Sequence, residues 1–183
     1  MVVQTDVSRA QSVKRAVEQV RSELGQITAL AYNASGNGCG AFLEVDSKMI
    51  QQSFEVGVMG AVYLSQAVIP DMLKAGHGFI SLTGATAPLR GRAGSAPLAI
   101  AKASLRMLGK LLAREFHPKG SHVVQLIVDG QIDTPKLRAR DPTRAGETII
   151  SPDSIAEIVL FMLKQTHDAW THKVDLRPHL EPF

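Results

Sequence analysis

Side chains able to bind ligands or move protons stand directly after the predicted strands of this sequence. These segments are Asp6, the loop 33–40, residues 83–86 and residues 129–134. In an open parallel sheet, ligands bind at the carboxyl ends of the strands, so these segments form the candidate site. A further cation, Lys102, stands in an otherwise apolar helical run, one turn after Leu98.

The helix that carries Lys102 is predicted to run from about residue 95 to residue 116. Its apolar residues recur every three or four positions, at Leu98, Ala101, Leu105, Leu108 and Leu112. This spacing defines one buried helical face, and Lys102 lies on nearly the same face. One interpretation of Lys102 is a surface lysine whose stem covers apolar surface while its ammonium group reaches water. The other is a functional cation at the site.

The run G-N-G-C-G at residues 36–40 has the composition of a dinucleotide-binding loop but not its spacing. That loop has the pattern G-x-G-x-x-G and opens a helix directly, so that backbone amides face the pyrophosphate. Here A-F-L-E-V-D follows before any helix begins. We therefore predict a flexible loop after a strand rather than a phosphate site.

Strands and long helices alternate along the chain. The predicted strands are 1–5, 27–32, 78–83, 121–128 and 174–176. The first predicted helix begins at Asp6 or Ser8 and ends at Leu24, and the others span 47–75, 95–116 and 152–164. Gly25 and Gly76 end the first two helices, and the pair Ser151-Pro152 begins the last. Such alternation implies parallel strands with right-handed crossovers. The predicted fold class is α/β, a doubly wound parallel sheet forming one domain over residues 1–183, with a single long irregular stretch at 129–150 that is typical of a lid or binding loop.

Composition excludes several classes of function. A length of 183 residues with 45% hydrophobic and 20% charged residues is typical of one globular domain with a buried core. The 20 Lys and Arg residues are scattered, which argues against nucleic acid or a membrane surface as a partner. A lone Cys39 and the absence of paired histidines argue against a disulfide or a metal site. No apolar run approaches the roughly 20 residues of a membrane span and no signal peptide pattern is present, so we expect a cytoplasmic location.

Several short motifs occur in the order and spacing of the short-chain dehydrogenase/reductase superfamily. They are D-V at 6–7, L-A-Y-N-A-S at 30–35, F-E-V-G-V-M-G-A-V at 54–62, A-I-A-K-A-S at 99–104 and D-G-Q-I-D-T-P at 129–135. Together they cover nearly the whole chain, which therefore resembles this superfamily throughout. The resemblance implies an NAD(P)-binding Rossmann fold. It also implies hydride transfer between NAD or NADP and a small carbonyl or alcohol substrate.

The resemblance assigns cofactor-binding roles at the first two strand ends. Asp6 matches the acidic residue that touches the adenine end, with Val7 beside it. The alternative role of Asp6 is a helix cap. At the second strand end the family's N-N-A-G reads Y-N-A-S, so Asn33 and Ala34 match while the flanking positions depart.

A further cofactor-binding loop is implied near residue 130. Gly130, Ile132 and Thr134 match the family's P-G-x-I-x-T loop, which holds the nicotinamide carboxamide. Asp129 stands where that loop has its proline. The alternative interpretation of Thr134 is an ordinary turn residue.

The resemblance also assigns the catalytic positions. In this family a helix carries Y-x-x-x-K, in which the lysine binds the nicotinamide ribose and lowers the pKa of a tyrosine that passes a proton to the carbonyl oxygen. Lys102 matches that lysine, whereas Leu98 occupies the place of the tyrosine. By the same register, Ala85 replaces the serine that polarises the carbonyl and Gly57 replaces the asparagine of the proton relay. Only the lysine of the family's catalytic tetrad is retained.

These replacements remove groups that contribute strongly to rate. A positioned general acid contributes roughly 10²- to 10⁴-fold, and a lost oxyanion donor costs roughly 10²- to 10³-fold. The nearby hydroxyls belong to Thr83, Thr86 and Ser95, and nothing in the sequence places one of them at a substrate oxygen.

The sequence begins at what would be the family's third strand. The family's first strand, glycine-rich turn, helix and second strand would precede it, so we expect an N-terminally truncated Rossmann domain and a fragment of a longer protein. Such a βαβ unit has about 30 residues or more, and its loss would leave the strand 1–5 without a neighbour and expose apolar surface. We expect this chain alone to bind NAD(P) weakly or not at all, because that turn supplies the pyrophosphate site. We expect the complete protein to form a homo-oligomer through the helices around 54–75 and 95–116.

Three functions therefore remain open from the sequence. The first is an NAD(P)-dependent oxidoreductase that uses unconventional acid-base groups. The second is a catalytically silent relative that binds a nucleotide or a partner. The third is a truncated product with no activity of its own.

Overall fold

The computed structural model describes residues 1–36 and 38–180. Its main sheet has four parallel strands in the order β1-β2-β3-β6, and a second sheet pairs β4 with β5. The strands are β1 Ala29–Tyr32, β2 Gly78–Ala85, β3 Ser121–Val128, β4 Gln131–Ile132, β5 Ile149–Ile150 and β6 Lys173–Leu176. The helices are α1 Ala10–Leu24, α2 Ser47–Phe54, α3 Gly60–Ala75, α4 Ala87–Arg90, α5 Ala96–Phe116, α6 Pro135–Arg140 and α7 Pro152–Leu163.

Helices cover both faces of the main sheet. On one face α1, α3 and α5 bury a core with β1 to β3 that includes Val13, Val68, Ile80, Leu105 and Val123. On the other face α7 packs through Met162 against Phe79, Val124 and Leu126. All eight residues of β3 are buried, as expected for a central parallel strand. The predicted doubly wound α/β sheet is therefore confirmed.

The local start and stop signals of the helices are mostly confirmed. Gly25 and Gly76 follow α1 and α3 with φ angles of 84° and 73°, a conformation that glycine adopts without steric cost. Ser151 caps α7 by accepting a hydrogen bond from the backbone N–H of Asp153. The predicted start of α1 is wrong, because the helix begins at Ala10 and its N-cap residue, Arg9, makes no side-chain capping bond.

The prediction of a strand at residues 1–5 is wrong. None of the described residues pairs with this segment, and β1 forms the edge of the sheet instead. A strand exists only through its ladder of hydrogen bonds, so the apolar pattern alone does not produce one. Met1 and Val3 instead line a groove with Val17 of α1 and Leu30 of β1.

The prediction of an irregular stretch at 129–150 is also wrong. Gln131–Ile132 and Ile149–Ile150 pair as parallel strands, and α6 lies between them. An ion pair at 2.7 Å joins Asp133 to Arg138 within this segment. Short-range pairing and capping therefore give the segment regular structure.

A continuous helical run spans Ser47–Ala75, in which a π-helix at Glu55–Met59 joins α2 to α3. By length and composition alone this run of 29 residues could cross a membrane, because one 18-residue window within it has a mean hydropathy of 1.4. A search for uninterrupted apolar runs does not find it. In the fold it is a core helix, since Ala61, Val68 and Met72 are buried against the sheet.

Candidate functional site

A cleft of ≈ 430 Å³ opens at the carboxyl ends of β1 and β2, on the face covered by α7. It brings together Asn33, Thr83 and Ile132, three residues that sequence analysis placed in candidate segments. Its apolar wall includes Leu126, Ile155 and Val159. The arrangement follows from parallel strands, whose carboxyl ends meet at one edge of the sheet.

Lys102 is buried at this edge. Its side chain belongs to α5, the residue is 5% exposed, and its Nζ donates a hydrogen bond to the backbone oxygen of Thr83 at 2.5 Å. Desolvation by burial lowers the pKa of Lys102 to about 8. The interpretation of Lys102 as a surface lysine with its ammonium group in water is therefore wrong.

The Lys102 ammonium group has donors to spare. It carries three N–H groups, and the bond to Thr83 is the only one it makes within the described part of the chain. No carboxylate of a described residue pairs with it. Lys102 is not among the residues that line the cleft; it lines a small cavity with Gly84 and Ala85. Its uncommitted donors suit hydroxyl groups such as those of a nucleotide ribose.

The remaining tetrad positions carry no proton donor. Leu98 lies half-buried in the first turn of α5, and Ala85 is the last residue of β2. Gly57 is buried in the π-helix, where a Cβ atom would lie 3.3 Å from the Cβ of Ala101. π-Helical turns are frequent at functional sites. Here the π-helix is present, but Gly57 lacks the side chain of the asparagine that it replaces.

Two of the three nearby hydroxyl groups already donate to protein acceptors. The Thr86 hydroxyl donates to the Asp129 carboxylate at 2.9 Å, and the Ser95 hydroxyl donates to the backbone oxygen of Arg92 at 2.6 Å. Thr83 lines the cleft, and its hydroxyl has no hydrogen-bond partner among residues 1–36 and 38–180. Thr83 is therefore the one of the three that is free to face a ligand.

Tyr32 does not replace the missing tyrosine. It is buried, its hydroxyl donates to the backbone oxygen of Val56, and burial raises its pKa to about 12. A Cβ atom at position 60 would lie 2.4 Å from that hydroxyl, so the ring fits because Gly60 faces it. Tyr32 is a structural brace between β1 and the π-helix.

Asp6 lies exposed before α1. Its carboxylate accepts hydrogen bonds from the backbone N–H and the hydroxyl of Ser8, at 3.0 and 2.6 Å, which hold the pKa of Asp6 below its usual value. Asp6 is thus not the N-cap of α1. Val7 packs against the core, beside Gly60. An adenine-binding role for Asp6 and Val7 stays a prediction.

The loop after β3 places its predicted residues differently. Ile132 lines the cleft, whereas the Thr134 hydroxyl caps α6 by accepting from the backbone N–H of Leu137 at 3.2 Å. Thr134 therefore has a capping function, and its carboxamide-binding role stays a prediction. Gly130 has a φ of 157°, and a Cβ there would lie 2.7 Å from Pro178. Ala34 packs against the core beneath this edge.

Sequence analysis missed a charged cluster centred on Asp129. Asp129 is 8% exposed, and its carboxylate accepts hydrogen bonds from Thr86, from Arg90 at 3.0 Å and from Arg177. Its arginine partners are 39 and 48 residues away in the chain, a separation that no local pattern reveals. The one available signal was an aspartate in place of the family's proline.

Comparisons with known proteins agree with this architecture. A family profile described as short chain dehydrogenase matches residues 1–145. The 3-oxoacyl-acyl-carrier-protein reductase FabG of Escherichia coli (strain K12) is 31% identical over 142 residues, which are 77% of this chain and 58% of that protein. An uncharacterized oxidoreductase of Staphylococcus saprophyticus is 27% identical over 173 residues, 94% of this chain and 73% of the relative. The chain thus spans little more than half of the first of these relatives.

Solved structures show the same fold. A short-chain dehydrogenase from Rhodopseudomonas palustris superposes with a TM-score of 0.79 at 26% identity, covering 95% of this chain and 72% of that one. An alcohol dehydrogenase from Thermococcus sibiricus, complexed with 5-hydroxy-NADP, has a TM-score of 0.85 at 22% identity, with coverages of 97% and 74%.

Proposed function

The chain belongs to the short-chain dehydrogenase family, and on that premise we propose that it binds NAD or NADP and serves hydride transfer between the nicotinamide and a carbonyl or alcohol. The observation that carries the proposal is the buried Lys102, whose Nζ bonds only to the Thr83 oxygen within the described chain. A buried cation without a carboxylate partner is destabilising, so its retention is best explained by a ligand.

The residues present fit a nicotinamide nucleotide at the cleft. The ammonium group of Lys102, which lines a small cavity with Gly84 and Ala85, would bind the ribose hydroxyls. Asn33 and Ile132, which line the cleft, would contact the nicotinamide. With a pKa of about 8, Lys102 is mostly protonated at neutral pH and presents a positive charge to the ribose. The apolar wall around Val159 would exclude water from the reacting end.

The bound nucleotide would supply a hydride to the carbonyl carbon. Among the chain's own residues, Leu98, Ala85 and Gly57 supply no proton to the developing alkoxide and no donor to the carbonyl. The loss of a general acid alone costs roughly 10²- to 10⁴-fold in rate. We therefore propose slow reduction of ordinary ketones, with the proton drawn from a group outside the family's tetrad.

A nucleotide-binding relative without turnover is the second candidate. It is favoured by the same three positions, together with the engagement of the Thr86 and Ser95 hydroxyls by protein acceptors. The two candidates share nucleotide binding and differ only in hydride transfer.

A titration followed by amide NMR tests the shared step, because it detects the weak binding that we expect. NADH or NADPH at millimolar concentration should shift the amides of Asn33, Thr83 and Ile132. The variant Lys102→Met keeps the apolar stem and should weaken these shifts, whereas Lys110→Met, on the exposed face of the same helix, should not. Equal binding by wild type and Lys102→Met would contradict the proposal.

Turnover then separates the candidates. Oxidation of NAD(P)H with a panel of small ketones and aldehydes would support the oxidoreductase, and binding without oxidation would support the silent relative. Sequencing the source DNA ahead of Met1 for a glycine-rich T-G-x-x-x-G-x-G segment addresses the third possibility, a truncated product.

We also propose a cytoplasmic location and a homo-oligomer. The outer face of α5 exposes Ile100, Met107 and Leu111, and such a stripe is typical of a surface that a second copy covers. A monomeric mass by light scattering for the protein purified from its source would contradict the oligomer.

A further inference from the structure

The Asp129 cluster adjoins the predicted reaction site. Strands β2 and β3 end in register, with Ala85 opposite Val128. Thr86 and Asp129 are the next residues on each strand, and they are hydrogen-bonded to each other at 2.9 Å. By family resemblance, Ala85 marks the place of the substrate carbonyl, so this cluster stands immediately beyond that carbonyl.

The cluster presents positive charge toward solvent. The Asp129 carboxylate faces the guanidinium groups of both Arg90 and Arg177. The Asp129 side chain is 11% exposed and the Arg177 side chain is 16% exposed, so both lie inward. The Arg90 side chain is 46% exposed and carries the outward-facing charge.

Arg90 is held in place but not saturated. It uses Nη2 for Asp129 at 3.0 Å, and its Nε and Nη1 atoms have no partner among residues 1–36 and 38–180. A guanidinium group presents its donors in a planar fork that matches the two oxygens of a carboxylate. Because the bond from Nη2 to Asp129 already holds the Arg90 side chain in place, less side-chain freedom is lost when an anion binds its remaining N–H groups.

We propose that Arg90 binds the carboxylate of the substrate, and that the substrate is therefore an oxo acid or the corresponding hydroxy acid. Asp129 acts as a positioning residue, since it draws Arg90 back to the end of β2 beside Ala85. Arg90, which would bind the carboxylate, is held beside Ala85, which marks the place of the carbonyl. This favours an acid whose carboxylate is adjacent to its carbonyl. This inference rests on the proposed function, because it names the substrate of that same site.

Binding of the acid can be measured without the nucleotide. Amide NMR titrations would use 2-oxobutanoate, its methyl ester and inorganic phosphate as probes, against wild type, Arg90→Gln and the matched control Arg92→Gln. Arg92 is an exposed arginine two residues after Arg90, just beyond the end of α4. Asp129 keeps Thr86 and Arg177 in Arg90→Gln, so the variant should fold, which circular dichroism would check.

The expected result is that 2-oxobutanoate shifts the amides of Ala85, Thr86 and Arg90. Loss of charge-assisted hydrogen bonds should weaken its binding at least about tenfold in Arg90→Gln and leave Arg92→Gln like wild type. The methyl ester should bind wild type and Arg90→Gln equally weakly. Arg90→Lys, which keeps the charge without the fork, should fall between them and serves as the test variant if Arg90→Gln does not fold.

Two results would overturn the inference. Undiminished binding of 2-oxobutanoate to Arg90→Gln would mean that Arg90 only ties α4 to the loop after β3. Phosphate binding as strong as that of the acid would mean a general anion site rather than a substrate site.

The nucleotide titration keeps this inference separate from the proposed function. If NAD(P)H binds through Lys102 and the acid does not bind at Arg90, only the present inference fails. If the acid binds and the protein purified from its source does not bind NAD(P)H at millimolar concentration, the proposed function fails, and with it the assignment of the acid as a substrate.

Discussion

Replacing Lys102 by methionine should stabilise this protein at neutral pH. Burial lowers the pKa of Lys102 from 10.5 to about 8, which means that the fold penalises the charged ammonium group. At about 1.4 kcal/mol for each unit of pKa, the penalty is about 3 kcal/mol wherever the lysine is protonated in both states. Methionine keeps the unbranched apolar stem and carries no charge, so the variant escapes this penalty.

Loss of the hydrogen bond to the Thr83 oxygen should partly offset this gain in stability. Lys102→Met removes the donor at 2.5 Å, and a lost bond of this kind costs about 1 kcal/mol. Below pH 8 the variant should therefore be more stable than wild type by about 2 kcal/mol.

The difference should reverse sign in alkali. A lysine whose folded pKa lies below its unfolded pKa is protonated in the unfolded chain between about pH 8 and 10.5, so wild type gains stability as pH rises through this window. Above it both states are neutral, and only the lost hydrogen bond separates the two proteins. The variant should then be the less stable by about 1 kcal/mol.

Urea unfolding followed by circular dichroism at pH 7, 9 and 10.5 would measure this difference. The matched control is Lys110→Met, which alters an exposed lysine on the same helix and should show no such pH dependence. A Lys102→Met variant that is less stable than wild type at pH 7, or a difference that stays constant with pH, would refute a desolvated Lys102. Greater stability together with weaker nucleotide binding would identify Lys102 as a residue kept for its ligand.

Two further predictions concern the site and the opposite end of the sheet. In the protein purified from its source, the double change Leu98→Tyr and Ala85→Ser should raise the rate of NAD(P)H-dependent ketone reduction by more than the two single changes combined. Adding Lys102→Met should abolish this gain. If the unaltered protein already reduces ketones quickly and Leu98→Tyr does not change the rate, the catalytic acid lies elsewhere. Burial lowers the pKa of His117 and His122, so their neutral forms favour the fold: this contribution is complete above about pH 6.5 and is lost as pH falls through the lower folded values. Thermal unfolding between pH 7.5 and pH 5 should show a loss of stability that the double variant His117→Gln and His122→Gln reduces, and an equal loss in both proteins would contradict the assignment.

Much of the fold was predictable because its signals are local. The period of the apolar residues in α5 and the glycines after α1 and α3 depend only on neighbours within a few residues, and the predicted elements agree with the structure there. Strand β3 could be recognised because five of its eight residues, S-H-V-V-Q-L-I-V, are apolar, as expected for a parallel strand buried on both faces. The prediction of a strand at residues 1–5 was wrong because its outcome depends on distant residues. An extended segment becomes a strand only when another strand pairs with it.

The candidate site was predictable only in part. The order of the motifs identified the family and drew attention to Lys102, Leu98 and Asn33. The capping function of Thr134 was not predicted, since its two interpretations were a carboxamide-binding residue and an ordinary turn residue. The roles of these residues toward a nucleotide stay predictions until binding is measured.

The amino-acid sequence by itself determined the α/β class, the family and the position of Lys102 on an apolar helical face, because these depend on periodicity and on motif order. Tertiary structure alone decided that the Lys102 ammonium group is buried at the Thr83 oxygen, and that Asp129 gathers Arg90 and Arg177 beside Ala85. Both outcomes depend on contacts between residues far apart in the chain. Desolvation and ion pairing are set by the surroundings that the folded sheet assembles, and those surroundings exist only once β2, β3 and α5 have packed together.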